Sequence, residues 1–395
     1  MMSREGGEPM ERKLPIGVQD FGSLRRDGFI YVDKTEYIYK LVHTGHQYFL
    51  SRPRRFGKSL LLSTLRAYWE GKKELFSDLM IDQLEKANPN AWTSYPVFLF
   101  DFNGANYLEQ NALEEMLSSQ LKELEERYLG GQRGGDTLTE RFWTVLRGAY
   151  EQTGHRCVVL VDESDKPLLD AAGHPELQEH NEVVFKSFFS VLKSCEEYIE
   201  FVLMTGVTKS YKPCSELNHL NDISLNKKYA AICGITHEEL KQYFFPEIER
   251  LANRQSTTIE ECMHKLQECY DGYHFSAYGE RVYNPFDLLK TFYEERFGSY
   301  WFETGKPASL AKRLKEISFD VRMLSDQTLY VSGSMLIGCT GANTDLITLL
   351  YQNGYLSIVD YDARGPMYTL SFPNQEVKHG FLESMLREYV PVIRT

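Results

Sequence analysis

Three groups of residues in this 395-residue chain have the types and spacing to do chemistry on a phosphate. The first is Gly57-Lys58-Ser59, where a loop containing Pro53 gives way to a helix. The first turn of a helix presents unpaired N–H groups and the positive end of its dipole, so a polyphosphate can be held there. Lys58 would reach the β/γ-phosphates and the Ser59 hydroxyl would ligate Mg²⁺. The second group is Asp162-Glu163, which ends the apolar run from Cys157 to Val161. Asp162 would hold Mg²⁺ opposite Ser59, as a Walker B aspartate does. Glu163 would orient or deprotonate the attacking water. The third is Thr205, just past Phe201-Val202-Leu203-Met204 and suited to sensing the water or the γ-phosphate. The plain alternatives are a solvated basic loop, a solvated acidic strand end, and a threonine that satisfies loop backbone.

These groups act together only if strand ends converge. The apolar run before Ser51 reads as a buried strand, and Leu60, Leu61, Leu65, Tyr68 and Trp69 recur at helical spacing after it. Cys157–Val161 is an uninterrupted apolar run, as a parallel strand is when both faces are covered, and Val97–Phe102 and Phe201–Met204 read as further buried strands. Helices are expected over 110–129, 139–152 and 176–194, with a short closing strand over 223–225. Strands alternating with helices predict an α/β fold with a doubly wound parallel sheet, ligands lying at the carboxyl ends of its strands.

The flanking segments divide the chain into 1–13, a disordered lead-in; 14–233, a P-loop ATPase domain; 234–300, a helical lid; and 301–395, a winged-helix-like domain. In the first domain, residues 14–35 are expected to fold over the adenine, with Asp33 or Thr35 capping a helix that runs to about His43. Thr236 and Glu239 form a capping box that opens the lid, followed by helices over 260–270 and 286–296. The tail reads as a helix over 344–352, a hairpin pairing 356–359 with 368–372, and a helix from Val377. Units of that kind can bind DNA. Neither the hairpin nor its helix is basic, which favours packing or protein contact.

Bulk properties narrow the class further. With 44 basic and 56 acidic residues the net charge is −12, against a whole-surface binder of nucleic acid or anionic membrane. The seven cysteines are scattered without a C-x-x-C, as reduced thiols in a cytosol would be. Cys262, His264 and Cys269 match no common zinc spacing. No stretch approaches the ~20 apolar residues a membrane-spanning helix needs, and residues 1–13 lack an apolar signal core. A soluble, cytoplasmic protein is expected.

The pattern G-x-x-x-x-G-K-[ST] is met except at its first glycine, where Arg52 stands. Arg52-Pro53-Arg54-Arg55-Phe56-Gly57-Lys58-Ser59-Leu60 nevertheless resembles the bacterial AAA-ATPase-like family, in which arginine at that position is usual. So do Phe29–Thr35, Val161–Pro167, Thr205–Lys209, Leu220–Ile223, Tyr283-Asn284-Pro285-Phe286 and Phe372–Val377. The resemblance runs from about residue 14 to 390 and implies an additional-strand P-loop ATPase domain, a helical lid and a winged-helix-like tail. It places Arg54, Arg55, Phe56, Gly57, Lys58, Ser59 and Leu60 at the nucleotide, Ser59 and Asp162 at the metal, and Glu163, Lys58 and Thr205 at the reaction. Arg54 or Arg55 would hold phosphate or, in an oligomer, act as an arginine finger.

Two departures from the family pattern stand out. The segment from Lys209 to Ser215 is shorter than usual and carries Lys212-Pro213-Cys214 where apolar residues are expected. Longer members also continue into a nuclease-like domain of the PD-(D/E)xK superfamily, whereas this chain stops at Thr395. A separately encoded nuclease-like domain or another protein is therefore the expected partner. Glu376 and Lys378, with Asp360 and Asp362 upstream, imitate such a site but follow a hairpin, so no nuclease activity is expected here. The expected function is Mg²⁺-dependent ATP binding and hydrolysis. The alternatives are a nucleotide-gated switch or scaffold with negligible turnover, a DNA-binding adaptor using the tail, and a remnant with no ligand.

Overall fold

The computed structural model describes residues 12–208, 219–304, 329–336 and 346–389. Its centre is an α/β unit built on five parallel strands: β1 (Gln47–Ser51), β2 (Val97–Asp101), β3 (Cys157–Asp162), β4 (Ile199–Gly206) and β5 (Asn221–Asp222). Their order across the sheet is β2-β3-β4-β1-β5. Every residue of β3 is buried, because helices cover both faces. Side chains therefore sort by parity. Tyr48, Leu50, Val158, Leu160, Phe201 and Leu203 enter the core on one face. Phe49, Val159, Val161, Val202 and Met204 enter the core on the other.

β1 and β2, consecutive in sequence, are separated in the sheet by β3 and β4, so β4 lies between β1 and β3. In register, Leu50 pairs with Thr205, Val161 with Met204, and Asp101 with Asp162. At the ~4.8 Å interstrand spacing, the end of β3 lies about 10 Å from the end of β1. That gap is the width of a phosphate chain with a metal beside it.

The closing strand falls at Asn221–Asp222, two residues before its expected place. The Asp222 side chain accepts the Ser224 N–H at 3.0 Å, an Asx turn that bends the chain out of the sheet. Arg12 and Lys13, expected in the lead-in, already belong to the fold: Arg12 pairs with Glu247 at 2.8 Å, and Lys13 bridges Phe29.

Past the sheet, helices His237–Gln255, Ile259–Tyr270 and Pro285–Glu294 share a core of their own, with Leu240, Phe244, Leu251, Leu266 and Leu288 inside. The Thr236–Glu239 capping box forms as expected, and Pro246 kinks the first helix at Phe244. A short hairpin, β6 (Tyr273–His274) and β7 (Arg281–Val282), was not visible in the sequence pattern. In the C-terminal part β9 (Ser357–Asp362) and β10 (Met367–Ser371) pair antiparallel, as the pattern predicts. A third strand, β8 (Leu329–Ser332), adds to β10, and helices Leu346–Gln352 and Gln375–Tyr389 flank the sheet. Among the described residues, no helix is long and apolar enough to cross a membrane.

Candidate functional site

The loop after β1 is shaped by backbone conformation. Gly57 has φ +95° and caps the helix Lys58–Trp69, while Arg55 sits at φ +69°, a left-handed geometry costly for a residue with a Cβ. Left-handed residues alternating with ordinary ones turn successive N–H groups toward one concavity, the kind of nest that binds anions. Lys58 is buried. Its Nζ donates to the carbonyls of Arg52 (2.9 Å) and Pro53 (3.2 Å), so the ammonium is held inside the curve of its own loop.

Arg52, the departure from the glycine pattern, has a structural task. It is 1% exposed, its guanidinium donates to the carbonyls of Ser51, Ser224 and Tyr229, and it lies 4.2 Å over the Phe275 ring. A glycine would leave only the Ser51 N–H to Ser224 Oγ bond (2.9 Å) and the Ile223 N–H to Phe49 carbonyl bond (3.0 Å) tying β1 to the segment that follows β5.

At the end of β3, Asp162 is buried and its Oδ1 takes two protons in hydrogen bonds. They come from the Thr205 hydroxyl (2.8 Å) and the Glu163 backbone N–H (3.0 Å). Thr205 is fully buried and also donates to the Val161 carbonyl at 3.3 Å. It therefore meets the site through Asp162 rather than at the cavity wall. Glu163 adopts φ +48°, which swings its carboxylate out of the strand and into the cavity. Strain of this kind at a non-glycine residue is commonly stored at functional positions. Burial raises the Glu163 pKa above the usual carboxylate value, the Lys58 charge lowers it, and the neighbouring acids Asp165 and Asp162 raise it again. A carboxylate shifted in that direction is a better proton acceptor near neutral pH.

Loop and carboxylate face one cavity of about 1330 Å³. Its floor is Arg54, Arg55, Phe56, Gly57, Lys58, Ser59 and Leu60, with Glu163 opposite. Tyr31, Val32 and residues 17–19 form one wall, where the adenine-covering segment was expected. Ile232–Ile235, Phe286, Trp301 and Tyr355 form the other. Asp162 and Thr205 lie behind Glu163 and do not reach the cavity surface.

The structure adds residues that sequence reasoning passed over. Asp165 is fully enclosed, and its Oδ2 accepts the N–H groups of Val207 (3.0 Å) and Thr208 (2.7 Å), pinning the start of the loop after β4. Gly206 is needed there, since a Cβ would lie 2.7 Å from the Asp165 carboxylate. The clue was present in the cluster Asp162-Glu163-Ser164-Asp165. Asp101 and Asn103 bring the end of β2 to the cavity, and the Lys166–Asp170 ion pair (2.6 Å) forms part of its rim. Residues 209–215, where the pattern departs from the family, lie outside the described residues.

Hard oxygen donors suit Mg²⁺, which keeps several waters and takes few protein ligands. The Ser59 hydroxyl and the Asp162 carboxylate are a donor set of that kind, and Asp162 is already desolvated and oriented by Thr205. Among the described residues no group of three or more His, Cys, Asp or Glu could hold a metal. Any ion here would therefore depend on phosphate and water oxygens as well.

A phosphate-sized nest ending one strand of a parallel sheet, faced by an acidic pair ending a strand two places away, defines a P-loop-like α/β core. The chain belongs to the family described as Predicted AAA-ATPase, whose model matches residues 15–213. It is also similar to a protein of Azotobacter chroococcum mcd 1 described as "Uncharacterized protein in vnfD 5'region". The two are 35% identical over 387 residues, covering 96% of this chain and 71% of the relative. The family points to ATP binding and hydrolysis as the general activity.

Proposed function

We propose that the chain is an Mg²⁺-dependent ATPase. The observation that carries this reading is one cavity lined by both the Gly57–Ser59 nest and the strained, half-buried Glu163. Backbone N–H groups over Phe56–Ser59 and the Lys58 ammonium would bind the phosphates. Lys58 would have to exchange its loop carbonyls for phosphate oxygens, a swap of hydrogen-bond acceptors at nearly constant position. Ser59 would hold Mg²⁺ directly and Asp162, which does not line the cavity, would hold it through water; the bound ion would neutralise charge on the β- and γ-oxygens. Glu163 would accept the proton of the attacking water. Thr205 would act as a polar sensor through Asp162, whose orientation it fixes. Residues 234–300 are proposed as a lid, because Phe286 and Leu289 already wall the cavity. Residues 301–395 are proposed as a winged-helix-like unit.

The test is a thermal shift and turnover assay with ATP and Mg²⁺ on wild type and Lys58→Ala. Ligand binding at 100 times Kd stabilises by about 2.7 kcal/mol, a melting shift that is readily read. Wild type should show the shift and release phosphate, and Lys58→Ala should do neither while keeping its own melting temperature. Equal shifts in both proteins would refute the reading. A nucleotide-gated switch is the second reading, favoured by the many contacts between the phosphate loop and the C-terminal half. Single-turnover hydrolysis separates the two.

A further inference from the structure

We infer that Trp301 is a positioning residue for the phosphate loop, and that the buried carboxyl pair Asp287–Glu376 is its anchor. The inference deepens the ATPase reading and rests on it. The Trp301 indole N–H donates to the Arg54 carbonyl at 3.2 Å, across 247 residues of sequence. Its backbone N–H donates to Asp287 Oδ1 at 2.7 Å and Glu376 Oε1 at 3.1 Å, and the Phe302 N–H donates to the same Glu376 oxygen at 3.3 Å. One amide thus gathers carboxyls from two elements far apart in sequence, the first turns of helices Pro285–Glu294 and Gln375–Tyr389.

Asp287 is fully buried and Glu376 is 5% exposed. Asp287 Oδ1 and Glu376 Oε1 converge on the same amide, and Asp287 Oδ2 is a buried oxygen with no hydrogen-bond partner among the described residues. Two negative charges brought to one amide in a buried site repel each other, so the pair holds a proton. Burial, then the Glu376 charge, hold the Asp287 proton well above the ordinary carboxylate range. The pair therefore works as one singly charged clamp that accepts from Trp301.

What the clamp controls is the pair of exposed arginines beside the phosphate nest. Arg54 is held by its carbonyl through Trp301, and its guanidinium is close enough to Glu163 for its charge to lower that pKa. Arg55 stacks 4.9 Å over Phe286, the residue immediately before Asp287. One helical turn thus sets both cations, Arg55 directly and Arg54 by way of Asp287 and Trp301. Arginines so placed act on charge that develops at the γ-phosphoryl group, so their displacement should cost turnover more than binding.

Three variants of the full chain test this. Trp301→Phe keeps a ring and removes only the indole donor. Glu376→Ala removes half of the clamp. Glu376→Gln keeps an acceptor for Trp301 and supplies an amide donor to the Asp287 carboxylate. The first readout, amide hydrogen exchange of the peptide over Arg54–Lys58 without nucleotide, does not depend on activity. Losing one net hydrogen bond should speed exchange about five- to tenfold in Trp301→Phe and Glu376→Ala, with Glu376→Gln at the wild-type rate. The second readout is the split between kcat and KM. The kcat for ATP should fall about tenfold or more in the first two variants with KM within about twofold, as for an interaction made in the transition state. Unchanged loop exchange and kcat in Trp301→Phe would overturn the inference, as would a lower melting temperature with unchanged kcat per folded molecule. Equal losses in Glu376→Gln and Glu376→Ala would overturn the clamp. A wild type whose loop responds as described but which releases no phosphate would sink the ATPase reading and leave the positioning intact.

Discussion

Arg52→Gly would restore the first glycine of the phosphate-loop pattern, and on pattern alone it should improve nucleotide binding. The structure argues the opposite. The guanidinium donates to Ser51 at 2.8 Å and to Ser224 and Tyr229 at 2.9 Å each, while its plane lies over Phe275. Removing it loses three hydrogen bonds from a charged donor, each worth about 1.5–3 kcal/mol, although the Tyr229 carbonyl keeps the Ile232 N–H, and loses a desolvated cation–π contact worth about 2 kcal/mol. Relief of the desolvation penalty of a buried cation, several kcal/mol, offsets part of this. A net loss of about 3–5 kcal/mol follows, in line with the cost of breaking other buried charge networks. Glycine adds backbone freedom to a loop whose shape is its function. Urea denaturation followed by intrinsic fluorescence measures the loss, and Arg52→Lys serves as a comparison that keeps the charge without the planar fork. Should Arg52→Gly unfold within about 1 kcal/mol of wild type, a marginal change on the usual mutational scale, or bind ATP more tightly, the reasoning fails.

Two further outcomes follow from the acids Glu163 and Asp287. Glu163→Gln should keep the ATP-induced melting shift while turnover falls by about 10²–10⁴, the usual worth of a general base. Burial raises its folded pKa above the ordinary glutamate value of 4.5, so its stabilising contribution is full below that value and is lost as pH rises through the raised one. The glutamine variant should therefore melt higher than wild type at neutral pH, and a lower melting temperature there would contradict the burial argument. The same sign holds for Asp287, raised well above 3.8 by burial and then by Glu376. Across the range above 3.8, wild type should lose stability with rising pH relative to Asp287→Asn, and parallel curves from pH-dependent melts would refute a shared proton.

Much of this molecule is legible in one dimension, for identifiable reasons. Strands buried on both faces have no alternation to misread, so Val97–Phe100, Cys157–Val161 and Phe201–Met204 announce themselves as apolar runs. Glu163 comes directly after β3 and Gly57 and Lys58 lie one short loop past β1, and strand ends in a parallel sheet share one edge. Chemistry carried by strand ends is therefore readable once the strands are. The β6–β7 hairpin has only two residues in each strand, too few for a period to register. Thr205 was readable as polar and near the site. Its bond to Asp162 depends on β4 lying beside β3, a neighbour relation that linear order does not state.

The least legible residues are those that hold the phosphate loop from outside. Arg52 reads as a broken motif, and Trp301 reads as one more aromatic in a helix, because each is defined by a partner far away in the chain. The loop from Arg52 to Phe56 meets a different element at nearly every residue: Arg52 the segment after β5, Arg54 the Trp301 indole, Arg55 the Phe286 ring, Phe56 the rings of Tyr273 and Phe275. An ordinary phosphate loop needs a glycine where the chain must bend unsupported. Here the side chains that replace flexibility are themselves bonded to the C-terminal half. A change in the loop's shape on binding phosphate therefore has to move that half or break contacts with it.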